Sequence, residues 1–130
     1  MTMAITYTSR TAPDLPTVEV QNIWITSLDY NERHEITGAL YFGGDFFMHT
    51  MEGEEEDVEP LFGKVSKDPR HRNIKVLAIN DLAAPMFREI PMKLIDGSQS
   101  SFLQERFVYE DLIALKPADV AKSVFRLLKL

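Results

Sequence analysis

A predicted β-hairpin near the middle of the chain constrains the fold more than any other feature. Two runs, residues 36–42 and 45–52, are rich in β-branched and aromatic side chains, and Gly43-Gly44 joins them. Because glycine adopts positive φ without steric cost, a Gly-Gly pair between two such runs favours a tight primed turn. Strands joined by so short a turn must be antiparallel neighbours in one sheet.

Five further elements flank the hairpin, and the spacing of their apolar residues identifies each as strand or helix. They are a strand at 4–9, a helix at 17–30, a helix at 54–65, and strands at 74–79 and 87–95. The first helix repeats apolar residues at Val20, Ile23 and Trp24, and the second has acidic residues in its first turn. Pro91 indicates that the last strand lies at an edge, because proline cannot donate to a strand ladder.

The resulting order is β-α-β-β-α-β-β, followed by amphipathic stretches at 102–115 and from residue 117 onward. The first six elements are those of the split βαβ, ferredoxin-like arrangement. We therefore predict an α+β fold with a mixed five-stranded sheet and two helices on one face. Because a sheet that is apolar on both sides needs two covers, the two C-terminal helices are predicted on the other face. Residues 1–95 would form the core, and 96–130 a helical cap of the same single domain.

Composition and missing motifs exclude several classes of protein. The net charge is −6 and the pI is about 5.0, whereas proteins that bind nucleic acid or a membrane surface are normally basic. The chain has no cysteine, and its three histidines share no motif spacing, so no metal site is predicted. No apolar run approaches the roughly 18 residues of a membrane span, and no secretory signal is visible, which predicts a cytoplasmic protein. Phosphate loops and hydrolase motifs are absent from the sequence, so no enzyme is predicted.

Several short motifs occur together at particular spacings. Tyr7 lies in the first strand, Asn31 precedes the triplet at 36–38 (ITG), Glu52-Gly53 ends the hairpin, and an Asp-x-Arg-His set begins at Asp68. In this combination the chain resembles the BLUF family, the sensors of blue light that use FAD. The resemblance runs without a gap from about residue 5 to residue 92.

The resemblance implies a flavin ring that lies between the two helices and against the sheet. The cofactor it implies is FAD, with FMN or no flavin as the alternatives. The matching cofactor-contacting positions are Tyr7, Ile23, Ser27, Asn31, His49, Met51, Lys64, Val65, Asp68, Arg70 and His71, and Met92 matches a further photochemical position. Physical chemistry agrees with these types: an amide satisfies the carbonyls and N–H of a flavin edge, aliphatic side chains suit its flat body, and Lys or Arg suits a phosphate.

The chain departs from the family pattern at three positions. His49 stands where the family has the glutamine between tyrosine and flavin, Ile90 where a tryptophan is frequent, and Pro85 where an arginine is usual. A neutral imidazole has one donor and one acceptor in a rigid ring, so it could bridge Tyr7 and a flavin nitrogen without reproducing the rearrangement of an amide. These departures predict a flavin-binding sensory domain whose ordinary blue-light switching is impaired or altered.

Other interpretations of the same residues stay open. Tyr7 and Asn31 could be ordinary structural residues, and His49 a partly buried strand histidine. The domain could be a flavin-free interaction or oligomerisation module of the same fold, or a small flavin redox protein with His49 as proton donor. For a sensory domain we expect a separate protein as output partner and a homo-oligomer.

Overall fold

The computed structural model describes residues 1–97, 116 and 118–120. The seven predicted elements occur in the predicted order. They are strand β1 (Thr2–Thr11), helix α1 (Thr17–Arg33), strands β2 (Thr37–Phe42) and β3 (Phe46–Gly53), helix α2 (Glu55–Ser66), and strands β4 (His71–Leu82) and β5 (Lys93–Asp96).

The five strands form one mixed sheet in the order β4-β1-β3-β2-β5. β1 is antiparallel to both β3 and β4, β2 is antiparallel to β3, and β5 runs parallel to β2 at the edge. This is the ferredoxin-like α+β sheet that the element order predicted, and the edge position agrees with Pro91 just before β5.

Two glycines explain how the hairpin forms. Gly44 has a φ of 92°, and Gly43 donates its N–H to the Phe46 carbonyl at 2.9 Å, so Gly44 and Asp45 are the central turn residues. The turn therefore lies one residue later than the Gly-Gly pair suggested. Glycine is needed at position 38 for a different reason: a Cβ built there would lie 2.1 Å from the Thr50 carbonyl oxygen. A side chain at position 38 would push β2 away from β3.

Both helices pack on the same face of the sheet. On that face α2 covers an apolar cluster with Ile5 and Met51, and α1 covers another with Leu40 and Phe47. The opposite face carries a third cluster, in which β-strand residues such as Tyr41 and Met48 pack with Phe87 and with Val120, which is 0% exposed. A residue of the C-terminal region therefore covers that face. Apart from the helical residues 118–120, the two predicted tail helices lie outside the described residues.

The predicted strand at 87–95 is shorter in the structure. Only Lys93–Asp96 is strand, and residues 87–92 form turns that include Glu89 at a φ of 63°. The buried Glu52 carboxylate accepts the backbone N–H groups of Met86 and Phe87, both at 2.8 Å, and the Thr37 hydroxyl donates to it as well. These contacts take the backbone donors at 86 and 87 that a strand ladder would use, and Pro91 lacks a donor altogether.

Candidate functional site

A groove opens between α1 and α2 above the sheet. Its empty volume is about 490 Å³, including the part that is open to solvent. Its lining residues are Tyr7, Ile23, Thr26, Ser27, Leu40, Phe47, His49, Val65, Asp68, Arg70, His71 and Met92. An apolar concavity with a few converging polar groups is the usual form of a small-molecule site.

Tyr7 and His49 form a buried hydrogen-bonded pair at the floor of the groove. They are direct partners across β1 and β3, so their side chains share the helix-covered face. The Tyr7 hydroxyl lies 2.9 Å from His49 Nδ1, and the two rings meet edge to face at 5.3 Å. This contact occupies one imidazole nitrogen and leaves Nε2 as the nitrogen that can meet a ligand.

Burial keeps both members of this pair neutral at pH 7. Removal from water, with a smaller repulsion from His71, lowers the pKa of His49 from 6.5 to about 3. Burial, with a smaller effect of the Asp68 carboxylate, raises the pKa of Tyr7. The hydrogen bond therefore joins a neutral phenol to a neutral imidazole, and one proton lies between oxygen and nitrogen.

His71 holds one wall of the groove by two hydrogen bonds. Its Nε2 donates to the Val65 carbonyl at 2.7 Å, because a carbonyl can only accept. Its other ring nitrogen, Nδ1, lies 2.7 Å from the Ser9 hydroxyl. The first residue of β4 is thus fixed to the last turn of α2 and to β1.

Asp68 and Arg70 form an ion pair at the mouth of the groove. Arg70 reaches Asp68 through Nε at 3.0 Å and through its terminal nitrogen at 2.6 Å, and its backbone N–H donates to the same carboxylate. The Arg70 hydrogen bond lowers the pKa of Asp68, and the Asp68 hydrogen bond raises the pKa of Arg70. Both groups are charged at neutral pH, and a Glu19 oxygen lies 3.9 Å from the guanidinium.

Asn31, a predicted cofactor contact, uses only one of the two polar atoms of its side-chain amide in hydrogen bonds. It follows Ile23 and Ser27 at four-residue intervals, so all three lie on one face of α1. Its Nδ2 donates to the Pro91 carbonyl at 2.9 Å, while Oδ1 is buried with no hydrogen-bond partner in the described part of the chain. A buried acceptor without a donor is costly, so a ligand N–H group would suit this atom. This acceptor suits the N–H of a flavin edge, although Asn31 lies behind the residues that line the groove.

The structure brings eight of the eleven predicted contacts, together with Met92, to the groove lining. Asn31, Met51 and Lys64 do not line it. Met51 is 0% exposed in the cluster beneath α2, and the exposed Lys64 places Nζ 5.4 Å from the centre of the Tyr30 ring. A role in cofactor contact stays a prediction for all eleven residues, whether or not they line the groove.

Sequence reasoning missed three lining residues, Thr26, Leu40 and Phe47. Two of them had a detectable signal. Phe47 is two residues before His49 and therefore shares its face, and Leu40 is the direct partner of His49 across β2 and β3. Thr26, next to Ser27 on α1, had none.

Among the residues that the structure describes, none of the helices combines the length and hydrophobicity of a bilayer span. Within the same residues, no group of three or more His, Asp or Glu side chains is placed to hold a metal ion.

Sequence relatives match half to three quarters of the chain. The blue light- and temperature-regulated antirepressor BluF of Escherichia coli is 30% identical over 96 residues, which are 74% of this chain and 24% of that protein. The photoactivated adenylate cyclase subunit alpha of Euglena gracilis is 38% identical over 63 residues, 48% of this chain and 6% of the relative. The chain thus spans about a quarter or less of the length of these relatives.

Solved structures match over nearly the whole chain. The BLUF protein BlrB in its dark state aligns with a TM-score of 0.77 at 28% identity, covering 96% of this chain and 92% of that one. The photo-activated state of BlsA aligns with a TM-score of 0.82 at 26% identity, covering 100% and 96%. The family model described as sensors of blue light using FAD matches residues 2–93. With its ferredoxin-like sheet and its groove between two helices, the chain belongs to the BLUF family.

Proposed function

We propose that this chain is a flavin-binding sensory domain whose response to blue light is altered by His49. The observation that carries the proposal is the Tyr7–His49 hydrogen bond of 2.9 Å inside the groove. It occupies the place where, by the family resemblance, a glutamine joins the tyrosine to the flavin. A bound flavin supplies absorption of blue light and an acceptor for an electron.

The groove residues divide the work of holding that flavin. Ile23 on α1 and Val65 on α2 offer aliphatic surfaces to the two sides of a flat ring. Asn31 Oδ1 accepts an N–H of the ring edge, which satisfies its buried oxygen. Arg70 lies at the mouth, where a phosphate tail would leave the groove, although Asp68 already balances most of its charge. FAD is the flavin we propose, because the family is described by it.

His49 changes what the Tyr7 side of the groove can do. When a glutamine amide turns over, its carbonyl and NH₂ exchange places, so the hydrogen-bond pattern reverses with little change in shape. When an imidazole turns over, a carbon replaces Nδ1, and the bond to Tyr7 is lost. His49 therefore fixes one hydrogen-bond pattern, and we expect no long-lived light state of the usual kind.

Absorption spectra of the purified protein in the dark and under blue light test the proposal. We expect a flavin spectrum that keeps its position on illumination, and a His49→Gln variant that shows a reversible red shift. A reversible shift in the unmodified protein would contradict the altered response. A protein that stays colourless and also refuses added FAD would contradict flavin binding.

Output and partners belong to the same proposal. The named relatives are an antirepressor and a cyclase subunit, and this chain matches only 24% and 6% of their lengths. We propose a non-enzymatic sensory role that acts on another protein, with the domain as a homo-oligomer. Addition of NADH to the FAD-loaded protein separates this from the flavin redox alternative, because only a redox enzyme would bleach the flavin.

A further inference from the structure

The three residues before β5 are fastened to the rest of the domain through consecutive carbonyl groups. The Ile90 carbonyl accepts the Gly38 N–H at 3.1 Å, and the Pro91 carbonyl accepts the Asn31 amide at 2.9 Å. The Met92 carbonyl accepts the indole N–H of Trp24 at 2.8 Å. The last two bonds come from α1, so one helix holds the start of β5 at two adjacent points.

Trp24 and Asn31 act from the same side of α1. They are seven residues apart, which is about two helical turns. Ile23 and Ser27, which line the groove, lie on the same helix. Any ligand that presses on α1 from the groove therefore bears on the helix that also holds Pro91 and Met92.

Met92 belongs both to the groove and to the attachment of β5 to α1. Its side chain is 4% exposed and lines the groove, while its carbonyl is bonded to Trp24. Ile90, by contrast, is 39% exposed and does not line the groove. Met92 therefore forms part of the groove wall, and the indole of Trp24 holds its carbonyl.

We propose that Trp24 is a positioning residue that couples occupancy of the groove to β5. The inference rests on the proposed flavin binding. Asn31 takes part at both ends, because its Oδ1 has no partner in the described part of the chain and would accept a ligand N–H, while its Nδ2 holds Pro91. Binding of a ring N–H fixes the amide, which strengthens the hold on Pro91 and, with the Trp24 bond, stiffens the start of β5. Coupling of this kind is reciprocal, so loosening the Trp24 bond weakens ligand binding by the same factor.

The single tryptophan of the chain gives a direct readout without any substitution. Its indole N–H produces one resonance in a proton–nitrogen NMR spectrum, and its hydrogen-exchange rate reports the bond to Met92. We expect protection in the ligand-free protein and exchange about fivefold slower with saturating riboflavin, the lower end of typical coupling. Exchange at the rate of an exposed tryptophan, or a rate that riboflavin leaves unchanged, would overturn the proposal.

A pair of variants gives the second test. Trp24→Phe keeps an aromatic ring and removes the N–H, and Ile25→Ala is the control because Ile25 is 57% exposed on the same helix. We expect Trp24→Phe to weaken riboflavin binding about fivefold and to speed amide exchange in Lys93–Asp96, with the control unchanged. Equal behaviour of the two variants overturns the coupling alone. Failure of every form to bind riboflavin overturns the proposed function, and normal β5 protection in ligand-free Trp24→Phe overturns the Trp24 attachment independently of any flavin.

Discussion

Of two polar pairs in the same groove, one is neutral and the other is ionised. Tyr7 and His49 at the floor are buried and neutral, whereas Asp68 and Arg70 at the mouth are partly exposed and charged. Both pairs are held by short hydrogen bonds, so hydrogen bonding does not explain their different charges. Exposure to water explains the difference. Burial disfavours the charged form of a group, and a neighbouring opposite charge keeps that group ionised only where some contact with water remains. The floor therefore binds by fixed neutral hydrogen bonds, and the mouth by charge.

Lowering the pH should have the largest effect on stability, because it acts on the neutral pair through His49. The pKa of His49 is 6.5 ordinarily and about 3 in the folded protein. Below pH 6.5 the unfolded chain binds a proton that the folded protein does not, so stability falls as pH falls. The free energy of unfolding should drop by about 1.4 kcal/mol per pH unit, or about 2 kcal/mol by pH 5. Urea unfolding at pH 7.5 and pH 5 measures this drop.

The His49→Gln variant is the matched control for the acid effect, since an amide does not titrate. Its loss of stability between pH 7.5 and pH 5 should be smaller than that of the unmodified protein by about 2 kcal/mol. Parallel pH profiles for the two proteins would show that folding does not lower the pKa of His49.

Removal of one partner at the floor should have the next largest effect. Tyr7→Phe leaves the buried Nδ1 of His49 without its partner, which should cost about 1–2 kcal/mol in the free energy of unfolding. In a double-mutant cycle, Tyr7→Phe combined with His49→Leu should cost less than the sum of the two single changes, because no buried polar atom is left unpaired. Strict additivity would mean that the pair does not interact.

The smallest effect should come from the mouth. Asp68→Asn removes the charge from a pair whose side chains are 27% and 34% exposed, so water already screens it. We expect a loss below about 1 kcal/mol, which shrinks further in 0.5 M NaCl. A loss as large as that of Tyr7→Phe, or one that salt leaves unchanged, would place both pairs in the same class.

Much of this site follows from the sequence because strands repeat with a fixed period. Tyr7 and His49 meet because they are direct partners on β1 and β3 and both face the helices, which a one-residue slip in register would reverse. Met51 shares that face, yet it lies beneath α2 in an apolar cluster and does not line the groove that the family resemblance implied for it. Lys64 neighbours the groove residue Val65, yet one step along a helix turns the side chain by about 100°.

The irregular segment before β5 was beyond such reasoning. Its carbonyls are bonded to side chains 60 and 68 residues earlier in the chain, on α1. Nothing in local periodicity specifies such long-range contacts, and the pattern at 87–95 imitates a strand. Sequence can therefore predict which side of a strand faces the site more readily than which loop closes it.

Glu52 carries a lesson about signatures. This residue helped to identify the family, yet its carboxylate accepts hydrogen bonds from the Thr37 hydroxyl and from two backbone N–H groups of the segment that leads to β5. It is thus a scaffold residue rather than a participant in photochemistry. A protein can keep all such structural residues while its photochemistry changes. Motif searches therefore identify the fold, and absorption spectra are needed to identify a photoreceptor.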